Sequence, residues 1–550
     1  MSVVSMLCPC WSTAWAYNEA DQPEKVALVE AGSGRKVTYA ELLMKVDRAA
    51  DMFWEHGIRK GDRVAVVHRN SIDVVVANYG LYKIGAICIP MNFMVTKQEE
   101  ILFILNNAGA KAVVTQQEFI RHYLKAQPEL PDLKYIFSTD TIPESAADKP
   151  FVQLFWDQIE KSTFHDETAG ACADEEDDAF ILYTSGTTGQ PKGAMVTHGN
   201  LASNVISCAQ IFKINDDDVF LCLLPMFHSF AWTTCVVIPL YLNLKVVIVA
   251  NVMPATTWLS AMGSENVTLI LAVPQILAVL SKEAKGLKQL YLRFWPFKHV
   301  RFAVSGAAPL TQEIKDRFEE KIGVKILEGY GLTETSPVVS VNTEELQKIK
   351  SVGPAIPAVS TIVLDEEGNE VPRNCEGELC VKGPNVFRGY FGNPQATKDA
   401  FTKDGWFKTG DIVSIDDDGF IFIKDRKKDM IIIKGLKVFS AQVEAIINSC
   451  PGIAESAIIG VPDGKGGEFI KCYAVKEEGA TLTDNDFRKF LKLNLDNYKR
   501  PRDFEFVEKL PKNALNKVLK RKLREDAVAK MKEQLAAAAA SDKPTVPEAE

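Results

Sequence analysis

Residues 181–198 read ILYTSGTTGQPKGAMVTH, an apolar run suited to a buried strand that passes at once into hydroxyls and glycines. Thr184, Ser185, Gly186, Thr187, Thr188 and Gly189 make a loop that can grip phosphate. Glycines admit positive φ and close approach of backbone N–H groups, hydroxyls add donors, and Lys192 supplies a compact charge. The P-loop of nucleotide hydrolases needs Gly-Lys-Ser/Thr, and Pro191-Lys192-Gly193 excludes it. Four further segments carry polar groups at the ends of apolar runs. Residues 220–230, FLCLLPMFHSF, deliver Phe227, His228 and then Trp232, although a His beside aromatics is more often a packed core residue. Residues 300–310, VRFAVSGAAPL, end in small residues that let the backbone pass close to a flat ring, among them Gly306, Ala307 and Ala308. Residues 326–337, ILEGYGLTETSP, repeat that design with Glu328, Gly329, Tyr330, Gly331, Thr333 and Glu334. Asp411, closing GWFKTGD, suits a ribose, because a carboxylate accepts from both vicinal hydroxyls.

The string YTSGTTGQPKG, with these segments and LPKNALNKVLKR at 510–521, resembles the signature of the AMP-forming adenylate synthetases. That superfamily contains acyl-CoA synthetases, peptide-synthetase adenylation domains and luciferases. The resemblance runs over roughly 24–524 with six motifs in order, and is nearest to medium- or long-chain fatty acyl-CoA synthetases. It implies that the loop from Thr184 to Gly189 and Lys192 bind ATP phosphates. It also implies that Gly306, Ala307, Ala308, Glu328, Gly329, Tyr330 and Gly331 enclose adenine and the α-phosphate, with Tyr330 stacked on the base and Thr333 on the phosphate. By the same resemblance Thr184 and Glu334 hold Mg²⁺, Asp411 and Arg426 bind ribose, and His228 lies near the carboxylate being activated. Phe227 and Trp232 line the acyl pocket, Lys428 is the hinge, Lys434 and Gly435 face the CoA channel, and Lys517 is the adenylation lysine. Asn516 stands where most relatives have Gly, Ile432 where some have a second lysine, and Lys437 where some have an aromatic.

At 550 residues the chain is too long for one core. Thr38 and Glu41 form a capping box ahead of Leu42, Val46, Ala49 and Phe53 on one helical face, with Gly57 as a stop. Apolar strands at 63–68, 86–90 and 112–115 alternate with helices at 71–83 and 97–107, which predicts a mostly parallel sheet covered on both faces. An acidic stretch, 139–178, reads as a surface crossing, its end at 174–178 as a solvated face. Charges at 425–429 read as an exposed connector, and 438–509 as a small α+β domain. The expected class is therefore α/β: a large N-terminal domain of mostly parallel sheets flanked by helices, 1–425, with a small mobile α+β domain, 426–528, and a disordered tail, 529–550. Lys512, Lys520, Arg521, Lys522 and Arg524 read as a solvated basic helix start.

The formal charge of −9 argues against a nucleic-acid partner. Eleven scattered cysteines read as reduced thiols, no transmembrane span or secretory signal is evident, and the cytoplasm is the expected location. Peripheral contact with a membrane and a homodimer are left open. The implied function is ATP- and Mg²⁺-dependent activation of a carboxylic acid to acyl-AMP, then thioester formation with coenzyme A. A medium- or long-chain fatty acid is the preferred substrate. The alternatives are an aryl-CoA ligase, and an acyl-carrier-protein synthetase or stand-alone adenylation enzyme.

Overall fold

The computed structural model describes residues 23–165, 168, 173–184, 190–433, 436–462, 468–513 and 517–541. Ser185, Gly186, Thr187, Thr188, Gly189, Lys434, Gly435 and Asn516 therefore lie outside the described residues. The chain divides into two compact units, one made of 1–362, 380–409 and 416–421, the other of 363–379, 410–415 and 422–550.

Two eight-stranded sheets build the first unit. One runs in the order Val338–Val341, Lys325–Gly331, Phe302–Ser305, Leu269–Ala272, Val219–Cys222, Lys245–Ile248, Val26–Glu30, Lys36–Thr38. The other runs Gly389–Tyr390, Lys192–Thr197, Asp178–Thr184, Ile87–Pro90, Arg63–Val67, Ala110–Thr115, Tyr135–Ser138, Val152–Leu154. Interior pairs are parallel, and antiparallel pairing is confined to the ends. Strands such as LILA, and RVAVV after its first residue Arg63, are apolar because parallel strands are covered on both faces. The helix Ile72–Lys83 packs on strands of both sheets and is accordingly apolar around most of its circumference.

The capping box forms as expected: the Thr38 hydroxyl accepts from the Glu41 N–H at 3.2 Å, and the Glu41 carboxylate accepts from the Thr38 N–H at 2.9 Å. The 139–178 stretch departs from expectation. Val152–Leu154 adds a strand to the sheet edge, and the helix Phe155–Lys161 buries Phe155 and Ile159. Two apolar anchors in an acidic sequence suffice to dock it. Asp178, expected in a solvated face, is buried in its strand and paired with Arg388 at 2.9 Å. Its single-letter context hid a partner 210 residues away.

In the second unit Ile453–Pro462, Glu468–Lys476 and Asp503–Phe506 form a three-stranded sheet. Alternation along the first strand sends Ile458 to a core with Val443, Ile447, Phe487 and Leu491, and Ala457, Ile459 and Val461 to the opposite face against Leu510, Leu523 and Ala527. The helix Lys520–Ser541 supplies the latter cover. It also runs into the segment expected as a tail. Residues 529–541 are helical, since Ala, Lys, Glu, Gln and Leu have high helix propensity, whereas 542–550 lie outside the described residues.

Candidate functional site

In the first unit the predicted site residues gather beyond the carboxyl ends of parallel strands, where open α/β sheets place ligands. Thr184 ends the strand Asp178–Thr184 and pairs in register with Lys192 on the returning strand. Gly193 is required there, because a Cβ would fall 2.6 Å from Ile181 Cγ2 and 3.2 Å from the Tyr183 ring. Ser305 ends its strand directly opposite Glu328. The turn after it bends through Ala307 at φ +66°, and a Cβ on Gly306 would lie 3.0 Å from Phe230, so SGAAP passes close to the segment that follows His228. Gly331 cannot be larger either, since its Cβ would meet the Pro337 carbonyl oxygen at 2.0 Å.

Side chains then tie these segments together. Ser229 Oγ and Thr333 Oγ1 are 3.4 Å apart, and the Tyr390 hydroxyl donates to Glu334 Oε1 at 2.9 Å. Lys192 Nζ sits 5.2 Å from the centre of the same Tyr390 ring. Tyr390 thus links the lysine of the phosphate loop to the carboxylate expected to bind metal, and sequence reading missed it. Its only signal was the Arg388-Gly389-Tyr390 step, which pairs Gly389 and Tyr390 with Met195 and Ala194. Burial and the Glu334 charge push the Tyr390 hydroxyl well above the ordinary tyrosine range, so it stays a donor. Glu328 is raised to about 7 by burial, opposed by Lys315 at 3.9 Å. Tyr330 and Thr333 are half-buried, and Gly331 is exposed.

Phe227, His228 and Trp232 line a small pocket with Tyr82, Leu182 and Met226. Trp232 is 3 % exposed, its ring 5.8 Å from Tyr79 and 6.3 Å from Tyr82. It opens a π-helical turn, Trp232–Val237, a widened geometry that sequence periodicity did not reveal. Burial lowers His228 to about 4, so its imidazole is neutral at physiological pH.

The second unit brings Asp411, Arg426, Lys428 and Lys517 into one electrostatic neighbourhood. Asp411 is buried and lies 3.3 Å from Arg426 Nε. Asp425, expected in an exposed connector, is buried, accepting from the Arg426 N–H at 2.8 Å and from Ser440 Oγ at 2.9 Å. Ser440 Oγ also accepts from Lys520 Nζ at 2.7 Å, and Lys520 pairs with Glu444 at 2.7 Å. Lys520 is therefore a structural cation rather than a solvated one, because burying Asp425 and Glu444 demands a partner. Arg524 likewise donates to the Lys428 carbonyl at 3.3 Å, and Lys512 pairs with Glu455 at 2.6 Å. Ile432 is exposed, and Lys437 pairs with Glu366 at 2.7 Å.

Lys517 is tied to Asn513 by two hydrogen bonds. Its N–H donates to Asn513 Oδ1 and its carbonyl accepts from the Asn513 N–H, both at 2.9 Å. Burial, and then the Arg426 charge, lower its amine to about 7, opposed by Asp411. A lysine lowered in this way costs stability below pH 7, and the cost is relieved as pH rises from 7 towards the unfolded value, because the unfolded chain then binds more protons. Among the described residues no group of three or more His, Cys, Asp or Glu could hold a metal on its own. One carboxylate and one hydroxyl, Glu334 and Thr184, fit only an ion that takes most of its oxygens from phosphates and water, which is the habit of Mg²⁺.

Residues 15–391 match the AMP-binding enzyme family and 442–517 match the AMP-binding enzyme C-terminal domain. The chain belongs to the AMP-binding enzyme family. It is 32% identical over 537 residues to a long-chain-fatty-acid–CoA ligase of Salmonella typhimurium, covering 93% of each chain. It is also 32% identical to 4-coumarate–CoA ligase-like 4 of Oryza sativa, covering 92% of this chain and 91% of that one. Among solved structures, ATP-bound MatB from Rhodopseudomonas palustris superposes with a TM-score of 0.83 at 30% identity, over 94% of this chain and 98% of that one. Within the family, the protein is an AMP-forming acid–CoA ligase that works through an acyl-adenylate, with ATP and CoA as substrates. Among the described residues no helix is long and apolar enough to cross a membrane.

Competitive labelling of lysines with acetic anhydride in nucleotide-free protein should give Lys517 an apparent pKa near 7 and Arg426→Gln a higher one. A wild-type value near that of a free lysine would contradict the electrostatic account.

Proposed function

We propose that the acid is a medium- or long-chain fatty acid, with His228 at its carboxylate end, Phe227 and Trp232 along its chain, and Thr333 on the α-phosphate it attacks. The observation that carries this reading is the pocket itself: a neutral imidazole beside apolar walls suits an acid whose only polar part is its carboxylate. The relationship to a ligase named for long-chain fatty acids supports it. An aryl acid is the second reading, favoured by the rings of Tyr82, Phe227 and Trp232 around a small pocket. A reducing, cytoplasmic setting suits the eight described cysteines, all of them free thiols.

In the first step a carboxylate oxygen attacks the α-phosphorus and pyrophosphate leaves. The loop from Thr184 to Gly189, with Lys192, takes the phosphates, while Gly306, Ala307, Ala308, Glu328, Gly329, Tyr330 and Gly331 take adenine. Asp411 and Arg426 take ribose. Thr184 and Glu334 would hold Mg²⁺, which neutralises phosphate charge when bound, and Tyr390 keeps the Glu334 carboxylate aimed. Lys517 offsets the charge that grows on the bridging oxygen. It is half-deprotonated near pH 7 when alone, and an arriving polyanion restores its proton. In the second step the CoA thiol attacks the acyl carbon and AMP leaves with the former carboxylate oxygen. We assign this step to a movement of the smaller domain, 426–528, about Lys428 that withdraws Lys517 and presents Lys434 and Gly435 to the pantetheine arm.

Lys517→Ala should reduce acyl-AMP formation by at least about 10²-fold while synthetic acyl-AMP still reacts with CoA. Equal loss of both half-reactions, measured separately, would remove Lys517 from the first. Pyrophosphate release against a chain-length series, with and without CoA, should be greatest for medium or long acyl chains, and Trp232→Ala should shift the optimum by several carbons. An optimum on aromatic acids that Trp232→Ala leaves unmoved would select the second reading.

A further inference from the structure

The helix Gly286–Phe294 in the first unit carries its apolar residues on the outside. Leu287, Leu290, Tyr291 and Phe294 fall at the spacing of one helical face, and they are 86%, 53%, 48% and 65% exposed. Trp295 follows at 49%, and Leu292 is the helix's buried anchor. A surface helix ordinarily shows the reverse polarity. Single exposed apolar side chains need no account, but a contiguous stripe with three aromatics marks an interaction face.

The stripe is held firmly. Gln289 donates to the Lys321 carbonyl at 3.2 Å. The Trp295 indole occupies the space beside Gly263, where a Cβ would fall 2.4 Å from its Nε1, and the Arg293 guanidinium lies over Gly323 in the same manner. Charge identifies what covers the face. Lys282, Lys285, Lys288, Arg293 and Lys298 lie within or beside it in sequence and are exposed, against one carboxylate nearby in sequence, Glu283, which pairs with Lys288 at 2.6 Å. That is a formal +4 on a chain of −9.

We infer that this face docks on the anionic surface of a lipid bilayer. Leucines and rings enter the boundary between headgroups and acyl chains, tyrosine keeps its polar edge at its level, and the cations meet lipid phosphates. A second copy of the chain fits worse. Nine helical residues span only about 13 Å, a footprint on the order of 130 Å² at a helix width of about 10 Å, far short of the roughly 800 Å² per partner that a stable dimer buries. A two-fold contact would also set the same cations against each other.

Flotation of the full chain with phosphatidylcholine/phosphatidylglycerol vesicles, and with phosphatidylcholine alone, tests this. Binding to the anionic vesicles should exceed binding to the neutral ones and weaken with salt. It should fall at least about tenfold in Leu287→Ser/Phe294→Ser and about fivefold in each of Lys285→Ala and Lys298→Ala, with acid–CoA ligase activity on a water-soluble acid unchanged. Failure of the wild type to float, equal binding to neutral vesicles, or equal binding by the lysine variants would overturn the inference. So would a dimer in sedimentation velocity that Phe294→Ser dissolves while vesicles leave the wild type unbound.

Discussion

Two anions have to meet for a carboxylate to attack a triphosphate, and that repulsion is the constraint on which the rest of the structure depends. A permanently charged cluster would bind polyanions and hold the products as firmly. The second unit instead keeps an amine that is reluctant to be charged: burial and Arg426 bring Lys517 to about 7, while Asp411 restrains the shift. Its charge is therefore conditional on what it faces. On the proposed reaction this suits a group needed in the first step and unwanted in the second.

Such conditional charge needs surroundings that do not yield. Asp425 anchors the backbone at Arg426 and is itself held by Ser440, which takes a hydrogen bond from Lys520, whose second partner is Glu444. Removing one member of such a buried set leaves another charge uncompensated, so the set behaves as a single brace. In the first unit the brace is neutral and smaller. Tyr390 donates to Glu334 and lies beneath Lys192, so one phenol positions a carboxylate and a cation of opposite duty.

Much of this was legible in the sequence because the phosphate loop, SGAAP and GYGLTE motifs are local, and two of their glycines answer to contacts near in the chain, Gly193 against Ile181 and Gly331 against Pro337. Alternating apolar runs likewise foretold the parallel sheets. What stayed hidden depends on partners distant in the chain. Asp178 reads as one more acid until Arg388 arrives, Lys520 as one more surface cation until Glu444 and Asp425 are placed, and Tyr390 as an ordinary aromatic until the strand Gly389–Tyr390 joins the sheet edge. The π-helical turn at Trp232 had no periodic signature either, since all six residues from Trp232 to Val237 are buried and the run has no solvent face.

The most direct test of the central chemistry follows an oxygen atom. A turnover with an ¹⁸O-labelled carboxylic acid, ATP and CoA joins one labelled oxygen to the α-phosphorus, and cleavage of the acyl carbon–oxygen bond by the thiol leaves it there. Mass spectrometry should find one ¹⁸O in AMP and none in pyrophosphate. Unlabelled AMP, or label in pyrophosphate or inorganic phosphate, would contradict activation through an acyl-adenylate.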